Sequence, residues 1–255
     1  MNDVWIGTNW KMTKTIKEGI AYTKELTKMA NIIKPEIKLF IIPSHTALVS
    51  IKEIVTDTRI ALGAQNMHWE EMGAYTGEIS PSMLEEIGID IIELGHSERR
   101  KYFNETDESI NKKVLAALRF GIKPLICIGE NLEQKSSGIS KEILAMQLKV
   151  CLRGVPKEHA IDIIIAYEPV WAIGEEGSPA HPGYVAEIHT FLRNLLEDFF
   201  EENGASIPLL YGGSVNKENC LEYLAIDDVN GLFIGRSAWE TSSFEEILLM
   251  VQEVL

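Results

Sequence analysis

A glutamate that leaves a buried apolar run is a candidate proton acceptor, and Glu168 follows Ile163-Ile164-Ile165-Ala166-Tyr167 in this way. A carboxylate carried into a partly dry pocket has its pKa raised toward neutrality, where it can take up and return a proton. Pro169 helps to fix where that carboxylate emerges. His96 follows a second apolar run ending at Leu94, with Gly95 as a tight exit. A neutral imidazole there can donate to a substrate oxygen and receive a proton back, provided nearby N–H groups or a helix N-terminus keep its pKa low. Lys11, after Asn9-Trp10, would bring a compact positive charge to a phosphate or to a carbonyl oxygen gaining charge. Gly212-Gly213-Ser214 and Gly235-Arg236-Ser237 can bring main-chain N–H groups close to an anion. A solvated loop glutamate, a structural histidine, a surface lysine and ordinary turns explain each feature taken singly, so what they mean depends on whether the fold gathers them.

Two further segments bear on the same chemistry. Glu98 and Arg99 are expected to form a local ion-pair network that shapes the loop after His96. Pro169-Val170-Trp171-Ala172-Ile173-Gly174 offers Trp and Ile to water, which suits either a lid that closes over ligand and expels water or plain packing between loops.

The elements that must position these residues alternate along the chain. Short apolar or β-branched runs at residues 5–9, 38–42, 59–64, 89–94, 123–128, 162–167, 208–211 and 231–234 read as strands. Spacing of about 3.6 residues predicts helices over 15–30, 106–120, 140–152, 182–200 and 243–255, with shorter ones at 46–55, 81–86 and 217–224. Eight strand–helix units with no dividing linker predict one α/β domain over residues 1–255, a single (β/α)8 barrel, in preference to an open doubly wound sheet. In such a barrel the residues just beyond the strand C-termini share one face, and Asn9, Lys11, Gln65, His96, Glu130, Glu168, Ser214 and Arg236 all fall there.

Composition removes several other classes. The chain has 255 residues, 45% of them apolar, which is ample for a core. Its 38 acidic and 24 basic residues leave a formal charge of -14, and the one basic cluster is Arg99-Arg100-Lys101, so a nucleic-acid partner is not expected. Cys127, Cys151 and Cys220 suggest neither a disulfide framework nor a thiolate metal site, which fits a reducing, cytoplasmic setting. The six histidines form no HExxH pattern, and no GxGxxG follows the first strand, so neither a metal nor a dinucleotide cofactor is expected. The N-terminus lacks a secretory pattern and no apolar stretch is long enough to span a membrane.

Asn9-Trp10-Lys11-Met12, Gly63-Ala64-Gln65-Asn66, Gly95-His96-Ser97-Glu98-Arg99-Arg100, Cys127-Ile128-Gly129-Glu130, Ala166-Tyr167-Glu168-Pro169-Val170-Trp171-Ala172-Ile173-Gly174 and Tyr211-Gly212-Gly213-Ser214-Val215 follow one another in the order seen in triosephosphate isomerases, and the chain resembles that family over essentially its whole length. The resemblance implies cofactor-independent aldose–ketose isomerisation of dihydroxyacetone phosphate and D-glyceraldehyde 3-phosphate through an enediol, in glycolysis and gluconeogenesis. It implies Glu168 as base, His96 as electrophile and shuttle, Lys11 and Asn9 as substrate-orienting groups, and Gly174, Gly213, Ser214, Gly235 and Arg236 around the phosphate. It also implies a homodimer braced by Tyr75-Thr76-Gly77-Glu78.

Departures from the family pattern point to an alternative. Glu175-Glu176-Gly177 replaces the usual segment after the lid glycine, and Gly235-Arg236-Ser237-Ala238-Trp239 replaces a glycine and a leucine in the last phosphate loop. Such changes resemble branches that isomerise four-carbon ketose phosphates such as L-erythrulose 1-phosphate and D-erythrulose 4-phosphate. A non-catalytic sugar-phosphate-binding protein and a lysine Schiff-base aldolase are the other classes compatible with the fold.

Overall fold

Eight parallel strands pair in chain order and close on themselves, so each end of the barrel gathers the same end of every strand. They are β1 (Val4–Asn9), β2 (Ile37–Ile42), β3 (Ala61–Ala64), β4 (Ile91–Leu94), β5 (Lys123–Ile128), β6 (Ile164–Tyr167), β7 (Leu209–Tyr211) and β8 (Gly231–Ile234). The structure, a computed structural model, describes residues 3–174 and 177–255, so the departure at Glu175-Glu176 lies outside the described residues. The expected α/β barrel is the fold found, with β8 pairing back onto β1 through Trp5 opposite Gly231 and Thr8 opposite Ile234.

Side-chain alternation divides the core in two. Leu39, Ile41, Leu62, Ile92, Ile126, Ile165, Leu209 and Leu232 face outward into the layer shared with the helices. Their neighbours Phe40, Ile42, Ile91, Leu125, Cys127, Ile164, Ala166, Leu210 and Phe233 fill the barrel interior.

The helices that cover the strands are α1 (Ile16–Ala30), α2 (Leu48–Val55), α3 (Pro81–Ile87), α4 (Ser97–Tyr102), α5 (Asp107–Arg119), α6 (Leu132–Ser136), α7 (Ser140–Cys151), α8 (Pro182–Phe200), α9 (Cys220–Leu224) and α10 (Thr241–Val254). Their starts have local causes. A capping box from Thr15 to Glu18 opens α1, Ser80 with Pro81 opens α3, and Thr106 opens α5. On α8, Val185, Ile188, Leu192, Leu196 and Phe200 recur at three- and four-residue steps and are buried.

Two helices have no counterpart in the sequence reading. Neither α4 nor α6 buries a single residue, so no apolar periodicity marks them. The strands expected to begin at Arg59, Ile89 and Asp162 begin two residues later, at Ala61, Ile91 and Ile164. Asp90 is held outside its strand because its carboxylate Oδ2 accepts from the Leu62 N–H at 2.8 Å while its own N–H donates to the Leu62 carbonyl.

His189 on α8 shows how far the interior tolerates a polar ring. It is fully buried, its Nδ1 donates to the Asp228 carbonyl at 3.1 Å, and its Nε2 has no partner among the described residues. Burial lowers its pKa from 6.5 to about 4, against the opposing pull of Asp228. Between those values the unfolded chain binds a proton that the folded one refuses, so stability is fully present above pH 6.5 and is lost as pH falls toward 4. Urea titrations at pH 7 and pH 5 should show that loss, reaching roughly 3 kcal/mol once His189 is protonated. The loss should be smaller in His189→Gln; an equal pH slope in both proteins would remove His189 as its source.

Candidate active site

The ends of β1, β4 and β6 converge on one cavity. Past β1, Lys11 adopts a left-handed backbone with φ 52°, a conformation that side chains other than glycine's disfavour by about 1 kcal/mol or more. Local hydrogen bonds hold it there. The Lys11 N–H donates to Asn9 Oδ1 at 2.6 Å, and Gln65 Nε2 donates to the Lys11 carbonyl at 2.8 Å. From this turn the ammonium reaches Glu98 Oε1 at 2.7 Å. The expected Glu98–Arg99 network is therefore corrected: Glu98 serves Lys11, while Arg99 turns to Glu105 and stacks over Phe103. Successive residues of a helix project on different sides, which separates the two partners.

His96 is the N-cap of α4, and its Nδ1 accepts from the Glu98 N–H at 3.2 Å. A ring nitrogen that accepts carries no proton, so the neutral tautomer holds its hydrogen on Nε2, the side facing Glu168. Burial above all lowers the pKa of His96; the Glu168 charge opposes this and the Lys11 ammonium adds to it.

Glu168 enters from β6 with its N–H donating to the Ile128 carbonyl at 2.8 Å. Its Oε2 stands 3.8 Å from His96 Nε2, and the two residues are 5% and 4% exposed, which places both largely out of water. That carboxylate oxygen has no hydrogen-bond partner among the described residues. Two glycines make room for it. A Cβ on Gly129 would lie 1.9 Å from the Glu168 carbonyl oxygen, and one on Gly212 would lie 2.7 Å from Glu168 Cγ.

The cavity measures about 230 Å³. It is lined by Asn9, Lys11, His96 and Glu168 and by a glycine-rich wall of Gly174, Gly213, Ser214, Gly235 and Arg236. The candidate base, electrophile, lysine, Asn9 and phosphate-loop residues thus border the same space, whereas Gln65 and Glu130, placed on the same face by the sequence, do not line it. The N–H groups of Gly213 and Ser214 donate to no protein acceptor among the described residues, so this wall can take an anion. The Arg236 side chain is exposed.

Trp171, in the segment expected to be either a lid or packing between loops, is half-buried, with Nε1 donating to the buried Glu130 at 2.9 Å and the Lys135 ammonium 3.4 Å from its ring centre. Tyr167 and Tyr184 donate to the same carboxylate, so the segment rests on a satisfied polar cluster. Nothing in the sequence signalled that two residues touch Asn9, although Trp239 stood out in it as a departure from the family pattern. Trp239 lines the cavity and donates through Nε1 to the Asn9 carbonyl at 3.0 Å, and Glu93 binds the Asn9 carboxamide from inside the barrel. Their partners lie 230 and 84 residues away, a separation that spacing along the chain does not reveal.

Comparison with known proteins agrees with this architecture. The triosephosphate isomerase family profile matches residues 4–251. The L-erythrulose-1-phosphate isomerase of Rhizobium etli is 45% identical over 253 residues, covering 99% of this chain and 94% of that protein. That of Rhizobium rhizogenes is 47% identical and covers 96% and 93%. The crystal structure of triosephosphate isomerase from Bartonella henselae superposes with a TM-score of 0.87 at 36% identity, covering 96% of this chain and 97% of that one. The expectation of a triosephosphate isomerase interconverting dihydroxyacetone phosphate and glyceraldehyde 3-phosphate is corrected by these relatives, since near-full-length matches at 45 and 47% carry the tetrulose phosphate name. The glycolytic and gluconeogenic setting that rested on it falls with it.

Gly212→Ala tests how closely the main chain sets the carboxylate. The added methyl must displace the Glu168 side chain, and a shift of that size should lower kcat about 10- to 100-fold. A crystal structure of the variant should show Glu168 moved away from His96; an unmoved side chain with unchanged kcat would refute the tight fit.

Proposed function

Since the chain belongs to the triosephosphate isomerase family, we propose that it is an isomerase using that family's aldose–ketose chemistry, applied here between two ketose phosphates, whose own substrate is the four-carbon L-erythrulose 1-phosphate. The observation that carries the chemistry is the buried Glu168 carboxylate 3.8 Å from His96 Nε2, both lining a cavity that glycine-rich main chain also lines. The relatives carry the choice of substrate.

L-Erythrulose 1-phosphate is dihydroxyacetone phosphate with one more hydroxymethyl group on the carbon that loses the proton. Glu168 takes the proton from C3. The electron pair moves into a C2–C3 double bond and charge grows on the C2 oxygen, where the His96 Nε2–H donates and the Lys11 ammonium adds positive charge. His96 then passes a proton between the C3 and C2 oxygens, and Glu168 returns its proton to C2. The carbonyl now stands at C3 and the product is D-erythrulose 4-phosphate. Asn9 orients the substrate, and the main chain of Gly174, Gly213, Ser214, Gly235 and Arg236 takes the phosphate. These groups supply a base, a donor and a cation, which is what proton transfer between adjacent carbons calls for, and the reaction is assigned no cofactor.

We extend the reading to the assembly. One domain over residues 1–255 acts as a homodimer, with the exposed loop of Tyr75, Thr76, Gly77 and Glu78 bracing the partner's site. The enzyme works in the reducing cytoplasm, where its free cysteines stay reduced, with neither nucleic acid nor membrane as a partner.

Steady-state kinetics on purified protein test the substrate. kcat/KM for L-erythrulose 1-phosphate should exceed that for dihydroxyacetone phosphate by about 10- to 100-fold, the discrimination a pocket shaped around one extra carbon can supply. Equal or reversed values would overturn the tetrulose assignment. Glu168→Asp should slow exchange of the C3 proton with deuterated water by about 100-fold, because the shorter arm misplaces the base. Unchanged exchange would remove Glu168 from that role.

A further inference from the structure

Glu93 occupies β4 two residues after Ile91 and, like it, projects into the barrel interior, where Leu125, Cys127 and Ile164 are its kind of neighbour. It is 1% exposed. A carboxyl group in such surroundings is destabilising unless its oxygens find donors, and a leucine would fill the same space without that cost. Here Asn9 Nδ2 donates to Oε1 at 2.9 Å and to Oε2 at 2.8 Å. Cys127 Sγ stands 3.8 Å from Oε1, completing the set.

The orientation of the Asn9 carboxamide follows from these contacts. The Lys11 N–H is a donor only, so the Asn9 oxygen must face it, and it does so at 2.6 Å. The amide nitrogen then points into the barrel, where Glu93 is its acceptor. Reversing the carboxamide would set an oxygen against the carboxylate and a donor against a donor. The Asn9 oxygen also takes part in holding the left-handed turn from which Lys11 reaches the cavity.

We propose that Glu93 is a positioning residue of the isomerase site: by accepting both hydrogen bonds from the Asn9 carboxamide it fixes the Asn9 oxygen on the Lys11 main chain and so sets where the Lys11 ammonium stands in the cavity. The assignment deepens the functional reading above and rests on it for the kinetic consequence. Glu93 is also electrostatically part of the site. Burial first and the Glu168 charge second push its carboxyl well above the usual carboxylate range, while the Asn9 hydrogen bonds oppose that rise.

A double-mutant cycle on the full-length protein tests the proposal, with L-erythrulose 1-phosphate as substrate and inorganic phosphate as competitive inhibitor. Glu93→Leu, or Glu93→Met should the leucine variant fail to fold, removes both acceptors and should lower kcat per folded molecule about 100-fold. The inhibition constant for inorganic phosphate should stay within about twofold, since the main chain proposed to take phosphate lies after β6, β7 and β8 and has no part in the Asn9–Glu93 contact. Glu93→Gln keeps one acceptor and should recover most of the lost rate. In an Asn9→Ala background the same Glu93 substitutions should change kcat by no more than about twofold, because their effect passes through Asn9. Additive losses, or an unchanged kcat in the single variants, would overturn the proposal. Inactivity of the unaltered protein on L-erythrulose 1-phosphate would overturn the functional reading instead. A crystal structure of Glu93→Leu or Glu93→Met then decides the positioning: an Asn9 carboxamide turned away from the Lys11 N–H upholds it, and an unmoved one sinks it.

Discussion

A carboxylate oxygen kept out of water with no hydrogen-bond partner is costly to maintain, and Glu168 Oε2 is such an atom, 3.8 Å from a buried imidazole. The surrounding main chain bears that cost. Ile128 holds the Glu168 N–H, and Gly129 and Gly212 allow backbone and side chain to approach more closely than any Cβ would permit. The same burial keeps His96 neutral, so the donor and the acceptor face each other without collapsing into an ion pair. Neither group would hold this state on an open loop.

Closure of the barrel makes the arrangement possible. β1, β4 and β6 are not neighbours in the sheet, yet their C-terminal ends meet across one rim because all eight strands run the same way. Asn9 ties two of these strands together, with Glu93 on β4 binding its carboxamide and Lys11 turning on its oxygen. Trp239 after β8 holds its carbonyl. Glycine-rich turns after β7 and β8 bring main chain to the cavity wall, suited to an anion although the chain as a whole is strongly acidic.

Membership of the family and choice of substrate rest on different features. On the proposed reading the residues around His96 and Glu168 serve proton transfer next to a carbonyl, and a three-carbon or a four-carbon ketose phosphate makes the same demand of them. Arg236 and Trp239 line the cavity where the family pattern commonly has a glycine and a leucine, and on the proposed reading they are where a fourth carbon would be distinguished. That is why the sequence motifs pointed to the broad family and its best-known substrate, while near-full-length relatives at 45 and 47% identity pointed to the tetrulose.

The sequence alone determined the alternation of strands and helices, because burial on both faces of a parallel strand and on one face of a helix leaves periodic apolar patterns. It also marked the strand ends at Asn9, His96, Glu168, Gly213 and Gly235, where polar or glycine residues break those patterns. It left α4 and α6 unmarked, since neither buries a side chain. Tertiary structure alone decided that Glu98 would serve Lys11 and leave Arg99 to Glu105, that Trp171 would rest on Glu130, and that Glu93 and Trp239 would grip Asn9. Apart from the Arg99–Glu105 pair, which is local in the chain, each of these contacts joins strands or loops far apart in the chain, and it comes into being only when the barrel closes.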